Sequence, residues 1–269
     1  MPKKITKSKK VNKKTAKNKK LIVANWKMNP ENLHDARKIF SELKKKKIKF
    51  QKTTAVICPP SIFLGDLSNN YDGKRFLFGA QDISVRNENE STGEISASIL
   101  ANFGVKFAII GHSERRSIGE TDVMVSLKIK NAIDFGITPI LCVGENNRDI
   151  DGKYLRFIEN QLRQSLVGIE KKEISKIVIA YEPIWAIGKG HQSMSGYELH
   201  QMNLFIKKVL ADIYDRKIAM KIPIIYGGSV DRENVSEIIE TGEVDGLLIG
   251  RASLNPYVFI DILEDVEKM

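Results

Sequence analysis

The sequence is poor in cysteine and lacks any long apolar segment. Only two cysteines, Cys58 and Cys142, occur in the 269 residues, and each ends a short apolar run. Two cysteines outside any CxxC pair or Cys/His cluster provide neither a disulfide framework nor a metal site. We therefore expect buried packing residues, no bound metal and a reducing, cytoplasmic compartment. No apolar run approaches the roughly 18 residues that a membrane-spanning helix needs, so we expect no membrane span.

Acidic residues and arginine are absent from residues 1–20, which contain ten lysines. Subtracting these ten from the 43 basic residues leaves 33, which equals the number of acidic residues, so residues 21–269 are formally neutral. A segment this polar cannot form a core, and we predict a disordered tail. It lacks the apolar centre of a secretory signal and the arginines of a mitochondrial presequence. We divide the chain into a polybasic extension, residues 1–20, and one folded domain, residues 21–269.

Eight short apolar runs alternate with segments of helical periodicity. Such runs are typical of strands buried on both faces of a parallel sheet, and eight of them fit a closed (β/α)8 barrel. An open, doubly wound sheet is the alternative, although no GxGxxG motif follows any run. Asn29-Pro30 and Asn255-Pro256 predict helices that begin with an asparagine N-cap followed by proline. The runs are residues 21–24, 54–58, 76–80, 107–110, 138–143, 177–181, 222–226 and 244–249.

Polar residues and glycines follow most of these runs. The carboxyl ends of the strands carry the active site of a (β/α)8 barrel, so these residues are expected at one mouth. A partly desolvated carboxylate at Glu182 is a candidate general base, and the turns before Ser229 and Ala252 direct backbone N–H groups toward an anion such as phosphate. Each of these residues alone has an ordinary structural explanation. Such explanations do not account for all of them being expected on the same face of the barrel. They are Asn25, Lys27, His112, Glu114, Glu145, Glu182, Gly227, Gly228, Ser229, Gly250 and Arg251.

Motifs along the chain, from Leu21 almost to its end, resemble those of the triosephosphate isomerase family. The resemblance implies a TIM barrel and interconversion of dihydroxyacetone phosphate and glyceraldehyde 3-phosphate. This reaction belongs to glycolysis and gluconeogenesis, touches the pentose phosphate pathway and needs no cofactor. The family also implies a homodimer. The motifs are VANWKMN (23–29), GAQD (79–82), STGEIS (91–96), IIGHSERR (109–116), ILCVGE (140–145), AYEPIWAIG (180–188), YGGSV (226–230) and GLLIG (246–250).

The resemblance further implies roles for individual residues. Glu182 is the expected base, and His112, as a neutral imidazole at a helix N-terminus, is the expected electrophile, a pairing already described for this family. Tyr226 is expected to latch a closed lid over the site. The implied substrate-binding residues are Asn25, Lys27, Gly188, Ser229, Gly250 and Arg251, with Glu114, Tyr226, Gly227 and Gly228 in support.

Three positions depart from the family's usual pattern. Arg251 stands where a second glycine is usual, and Lys189 replaces a small polar residue at the lid hinge. Asn89-Glu90-Ser91 replaces a mainly small and aromatic stretch in the loop that the family inserts into its partner subunit.

Two other functions are open at this point. Ten lysines without interleaved aromatics predict weak, salt-sensitive and nonspecific contact with polyanions through residues 1–20. A phosphosugar aldolase that uses Lys27 as a Schiff base is the alternative enzyme.

Overall fold

The computed structural model describes residues 19–86, 91–186 and 193–269. Eight parallel strands pair in chain order, and the first pairs with the last, which closes the barrel. The (β/α)8 barrel is confirmed and the doubly wound sheet is wrong. Predictions about residues 1–18 lie outside the described residues. The strands are β1 (Lys20–Asn25), β2 (Thr53–Cys58), β3 (Phe76–Ala80), β4 (Phe107–Ile110), β5 (Thr138–Val143), β6 (Val178–Tyr181), β7 (Ile224–Tyr226) and β8 (Gly246–Ile249).

Helices form a layer around these strands. Short 3-10 helices at Ile184–Ala186 and Arg251–Leu254 follow β6 and β8. The α-helices are α1 (Leu33–Lys45), α2 (Ser61–Asn69), α3 (Ala97–Asn102), α4 (Ser113–Ser117), α5 (Asp122–Asp134), α6 (Lys153–Ser165), α7 (Lys171–Ile174), α8 (Gly196–Ile213), α9 (Arg216–Ala219), α10 (Val235–Glu240) and α11 (Pro256–Lys268).

The first helix begins later than the sequence predicts. Asn32, and not Asn29, is its N-cap, because the Asn32 side chain accepts a hydrogen bond from the backbone N–H of Asp35 at 2.9 Å. Helix α1 therefore begins at Leu33, the first residue of its apolar face. The prediction for the last helix is confirmed: Asn255 caps α11, and Pro256 is its first residue.

Alternate strand residues fill two layers of core, as the period of a strand requires. Ile22 and Ala24 of β1 pack in the layer between the barrel and the helices. Leu21 and Val23 belong to a separate cluster of strand residues that fills the barrel interior. Strand ends are therefore held rigidly, and the residues that follow them share one well-defined face.

Both cysteines are free and buried in the inner cluster. Burial raises the pKa of the Cys58 and Cys142 thiols, so both stay protonated and serve as packing residues, as predicted. Within the described ranges, no helix is long and apolar enough to cross a membrane. The same ranges contain no group of three or more His, Cys, Asp or Glu side chains arranged to hold a metal ion.

Candidate active site

His112 and Glu182 lie side by side beyond the carboxyl ends of β4 and β6. His112 Nε2 is 3.2 Å from Glu182 Oε1, and the two side chains are only 7% and 3% exposed. Glu182 Oε2 accepts a hydrogen bond from the backbone N–H of Ser113 at 3.3 Å. A carboxylate shielded from water beside an imidazole is a pair suited to moving protons to and from a substrate.

The hydrogen bonds of His112 indicate which ring nitrogen carries the proton. His112 is the N-cap of α4, and its Nδ1 accepts a hydrogen bond from the backbone N–H of Glu114 at 3.1 Å. A ring that accepts at Nδ1 is neutral and carries its proton on Nε2. The Nε2–H faces Glu182, so the imidazole is a hydrogen-bond donor beside the candidate base.

Lys27 supplies positive charge at the same mouth. Its φ of 52° is uncommon for a residue other than glycine, and its backbone N–H donates to Asn25 Oδ1 at 3.0 Å. Its ammonium group contacts Glu114 Oε1 at 2.5 Å, across the mouth from β1 to α4. A Cβ atom added to Gly250 would lie 3.5 Å from Lys27 Cε, so the turn after β8 adjoins the lysine side chain. Asn25, Lys27, Glu114 and Gly250 are thereby brought together.

The two glycines after β7 make room for functional side chains. A Cβ atom at Gly227 would lie 2.7 Å from Glu182 Cγ, and one at Gly228 would lie 2.1 Å from the Tyr226 hydroxyl oxygen. Burial raises the pKa of Tyr226 to about 12, so its hydroxyl stays protonated. Larger residues at positions 227 and 228 would displace Glu182 and Tyr226.

The remaining predicted residues lie around this group. Ser229 is half-buried and donates its hydroxyl to the carbonyl of Ala186 at 2.8 Å. Arg251 begins the 3-10 helix after β8, and its exposed side chain makes no hydrogen bond or ion pair with any other described residue. Gly188 and Lys189 lie outside the described residues, as do Asn89 and Glu90.

An open cavity of about 440 Å³ adjoins the site on the β1 to β4 side. Asn25, Lys27, His112 and Glu114 line its polar wall. Its other wall is apolar and includes Met28, which is 91% exposed. Glu182 is not among the residues that line this cavity, and it adjoins the cavity through its contact with His112.

The family model described as triosephosphate isomerase matches residues 20–266. The chain belongs to this family. A triosephosphate isomerase of Dictyoglomus thermophilum is 41% identical over 249 residues, which cover 91% of this chain and 98% of the relative. One from Nocardia farcinica is 40% identical over 244 residues, covering 88% and 92%. One from Thermoanaerobacter pseudethanolicus is 39% identical over 236 residues, covering 87% and 94%.

Membership of the triosephosphate isomerase family confirms the resemblance drawn from the motifs. The family's members are cofactor-independent isomerases of glycolysis, so the enzyme class predicted from the sequence is confirmed as well. The fold of this family is the (β/α)8 barrel that the structure shows.

Two residues that position the site were missed in the sequence. Gln81 follows β3, and its Nε2 donates to the carbonyls of Lys27 and Cys58 at 2.9 Å each, which fixes the turn that carries Lys27. Gly144 follows β5, and a Cβ atom there would lie 1.8 Å from the carbonyl oxygen of Glu182. Both lie in triosephosphate isomerase motifs at strand ends. That position is the feature of the sequence that could have identified them as site residues. Their partners are visible only in three dimensions.

Glu145 does not line the cavity, and instead it stabilises the segment that carries Glu182. It is 1% exposed, and its carboxylate accepts hydrogen bonds from the Tyr181 hydroxyl and the Trp185 indole at 2.9 Å each. Arg148 Nε donates to the same oxygen at 3.1 Å. Because Tyr181 and Trp185 flank Glu182 in the chain, this network holds the backbone that carries the candidate base.

Gly227→Ala should lower kcat about tenfold to a hundredfold, because a base displaced by about 1 Å loses that much rate. The added methyl group would lie 2.7 Å from Glu182 Cγ. Steady-state kinetics checks this. Gly65→Ala in α2 is the matched control, since its methyl group would meet the ring of Phe103 at 3.1 Å. Wild-type kcat in Gly227→Ala would show that Glu182 does not need this space.

Proposed function

We propose that the protein interconverts dihydroxyacetone phosphate and D-glyceraldehyde 3-phosphate by proton transfer through an enediolate. The observation that carries the proposal is the neutral His112 imidazole, whose Nε2 lies 3.2 Å from the buried Glu182 carboxylate. The relatives named triosephosphate isomerase support the choice of substrate.

Each group has a task that its surroundings suit. Glu182 removes a proton from the hydroxymethyl carbon and returns it to the neighbouring carbon. His112 donates from Nε2 to the carbonyl oxygen, which stabilises the negative charge that develops there. Lys27 adds positive charge near this oxygen and the phosphate, and Asn25 fixes the turn that presents Lys27.

The phosphate is held mainly by backbone N–H groups. Gly250 and Arg251 open a 3-10 helix after β8, and Gly228 and Ser229 follow β7, so both turns present amides at the mouth. Gly188 and the Tyr226 latch complete this assignment as predictions, because residues 187–192 lie outside the described residues.

The contacts of Lys27 disfavour the aldolase alternative. A Schiff base requires a neutral amine whose lone pair attacks a carbonyl. The Lys27 side-chain nitrogen is engaged by Glu114 Oε1 at 2.5 Å, so it is not presented to a substrate carbonyl. Borohydride trapping in the presence of substrate should therefore leave Lys27 unmodified.

A coupled assay on purified protein tests the proposed reaction. Dihydroxyacetone phosphate is supplied in the presence of a chelator, and glyceraldehyde 3-phosphate is detected by its oxidation with an NAD-dependent dehydrogenase. Turnover with no added metal, and with no cofactor other than the NAD of the coupling enzyme, supports the proposal, and absence of turnover contradicts it.

Arg251→Gly should raise KM, by up to about tenfold, if the guanidinium helps to hold the phosphate. The Arg251 guanidinium is exposed and makes no hydrogen bond or ion pair with another described residue, so it can reach the phosphate. Titration of substrate in the coupled assay gives KM, and Arg156→Gly, at an exposed arginine on α6, is the control. An unchanged or lower KM would show that only the backbone amide at position 251 acts.

We propose that the protein is a homodimer and that a second copy covers the cavity beside His112. Met28, Ile62 and Ile118 are 91%, 81% and 72% exposed, and Met28 and Ile118 line this cavity. So many exposed apolar side chains around a polar cavity are typical of a protein interface. Asn89, Glu90 and Ser91 belong to the loop that the family resemblance places in the partner subunit, and of these three only Ser91 lies in the described chain.

Met28→Arg should convert the dimer to monomers, because burying an uncompensated guanidinium costs more than burying methionine gains. Sedimentation velocity over a range of protein concentrations measures the change. Ile150→Arg, at a fully exposed position on the β5 to α6 connection, is the control. A monomeric wild-type protein, or equal effects of the two variants, would rule out this interface.

A further inference from the structure

Residues 44–52 carry six lysines and no acid, although residues 21–269 as a whole are formally neutral. In the part of the chain that the structure describes, only Lys45 of these six pairs its ammonium group with a carboxylate, that of Glu42. The Glu267 carboxylate accepts hydrogen bonds from the backbone N–H groups of Gln51 and Lys52 at 2.7 Å each. Lys44 lies over the Phe40 ring at 5.2 Å, and Lys52 Nζ donates to a backbone carbonyl. Four exposed lysines elsewhere, Lys153, Lys171, Lys172 and Lys208, each contact an aspartate or glutamate.

A second basic segment is fastened against the first. Arg75 donates to the backbone carbonyls of Lys44, at 2.5 Å, and of Lys46. Lys74 therefore adjoins residues 44–52, and it is exposed and without a carboxylate contact in the described ranges. We call residues 44–52 together with Lys74 and Arg75 the basic end.

The basic end lies at the amino-terminal ends of β2 and β3, opposite the mouth that holds His112 and Glu182. The backbone N–H of Lys20 donates to the carbonyl of Lys52 at 2.7 Å, and Lys19 Nζ donates to the carbonyl of Phe50 at 3.1 Å. Residues 1–18, with eight more lysines, are thus covalently joined to the chain beside this surface. A ligand bound there would leave the entrance to the active site open.

We propose that the basic end binds nucleic acid through its phosphate backbone, without sequence preference. Duplex DNA carries about one negative charge per 1.7 Å, which matches a dense group of unpaired lysines. Phe50 packs edge-on against Phe76 with ring centroids 5.6 Å apart and is half-buried, so it offers no free face for stacking on bases. Binding therefore depends on charge alone.

An anionic membrane is the less suitable partner. Stable attachment to a membrane takes two signals, such as a basic patch together with an inserted apolar group or a lipid. The apolar residues of the basic end, Ile48 and Phe50, are half-buried and pack against the core. The basic end supplies the charge and no exposed apolar group.

Fluorescence anisotropy with a labelled DNA duplex tests the proposal. The intact chain is titrated between roughly 50 and 200 mM KCl, where binding by charge weakens steeply. The combined substitution Lys46→Gln, Lys47→Gln, Lys49→Gln and Lys74→Gln should reduce the slope of log affinity against log salt by about four, or about one for each phosphate contact. The matched control, Lys153→Gln, Lys171→Gln, Lys172→Gln and Lys208→Gln, makes the same change in net charge and should keep the wild-type slope.

Further arms separate this surface from other anion-binding parts of the chain. The four single Lys→Gln variants should each lower the slope by about one, which keeps the test decisive if the combined variant folds poorly. Deleting residues 1–18 should weaken binding of the duplex. Adding the combined substitution to this deletion should abolish the binding that remains. Saturating glycerol 3-phosphate should not displace the duplex.

Four results would overturn the proposal. They are an equal loss in the control, complete loss on deletion of residues 1–18 with none in the combined variant, displacement by glycerol 3-phosphate, and tighter binding to phosphatidylserine vesicles than to the duplex.

Discussion

Glu182→Gln should lower kcat by at least about a thousandfold, within the range that general-base catalysis supplies. The amide has nearly the same shape, and its oxygen can still accept the hydrogen bond from the Ser113 N–H. The folded structure should therefore persist while the proton acceptor is lost. Steady-state kinetics together with thermal unfolding measures both effects.

Glu145→Gln is the matched control for this substitution. It makes the same chemical change in a buried carboxylate that bonds Tyr181 and Trp185 and does not touch His112. We expect it to lower kcat far less than Glu182→Gln does, because it weakens the hydrogen bonds that hold the backbone of the base but leaves the proton acceptor in place. More than a tenth of the wild-type activity in Glu182→Gln would remove Glu182 from the role of base.

His112→Gln should lower kcat about a hundredfold to a thousandfold, the usual cost of losing one donor to a developing oxyanion. The neutral ring donates from Nε2 because its Nδ1 accepts from the Glu114 N–H at 3.1 Å. A glutamine cannot accept at that amide and donate beside Glu182 in the same geometry. The loss should fall on kcat more than on KM, since the interaction strengthens as charge develops.

His200→Gln is the control for the histidine. His200 lies on α8, where its Nδ1 is 3.6 Å from Glu243, outside the site. Its substitution should leave kcat at the wild-type value. Equal kinetic effects of His112→Gln and His200→Gln would contradict the assignment of the electrophile.

The sequence predicts most of the barrel because its signals are local. Buried parallel strands are short and apolar, and all eight predicted runs overlap an observed strand. Where two local signals compete, sequence alone is insufficient. Asparagine is a good N-cap at both position 29 and position 32, and Asn32 caps the helix because the apolar face begins at Leu33.

The parts of the site that were missed depend on contacts between distant segments. Gln81 fixes the backbone of Lys27 from 54 residues away, and Lys27 meets Glu114 across 87 residues. Position 144 must be glycine, because a Cβ atom there would collide with the carbonyl oxygen of Glu182, which follows the neighbouring strand. A strand end predicts that a residue faces the mouth, but it does not predict which residue it touches there.

The central claim is that Glu182 transfers a proton between adjacent carbons of a triose phosphate. Turnover of dihydroxyacetone phosphate in D2O, followed by NMR of the product, tests it most directly. A shielded base that exchanges with solvent during turnover should deliver deuterium to C2 of glyceraldehyde 3-phosphate, and Glu182→Gln should abolish both turnover and label. Turnover or label that persists at the wild-type rate in Glu182→Gln, or cleavage of the carbon chain, would contradict the account.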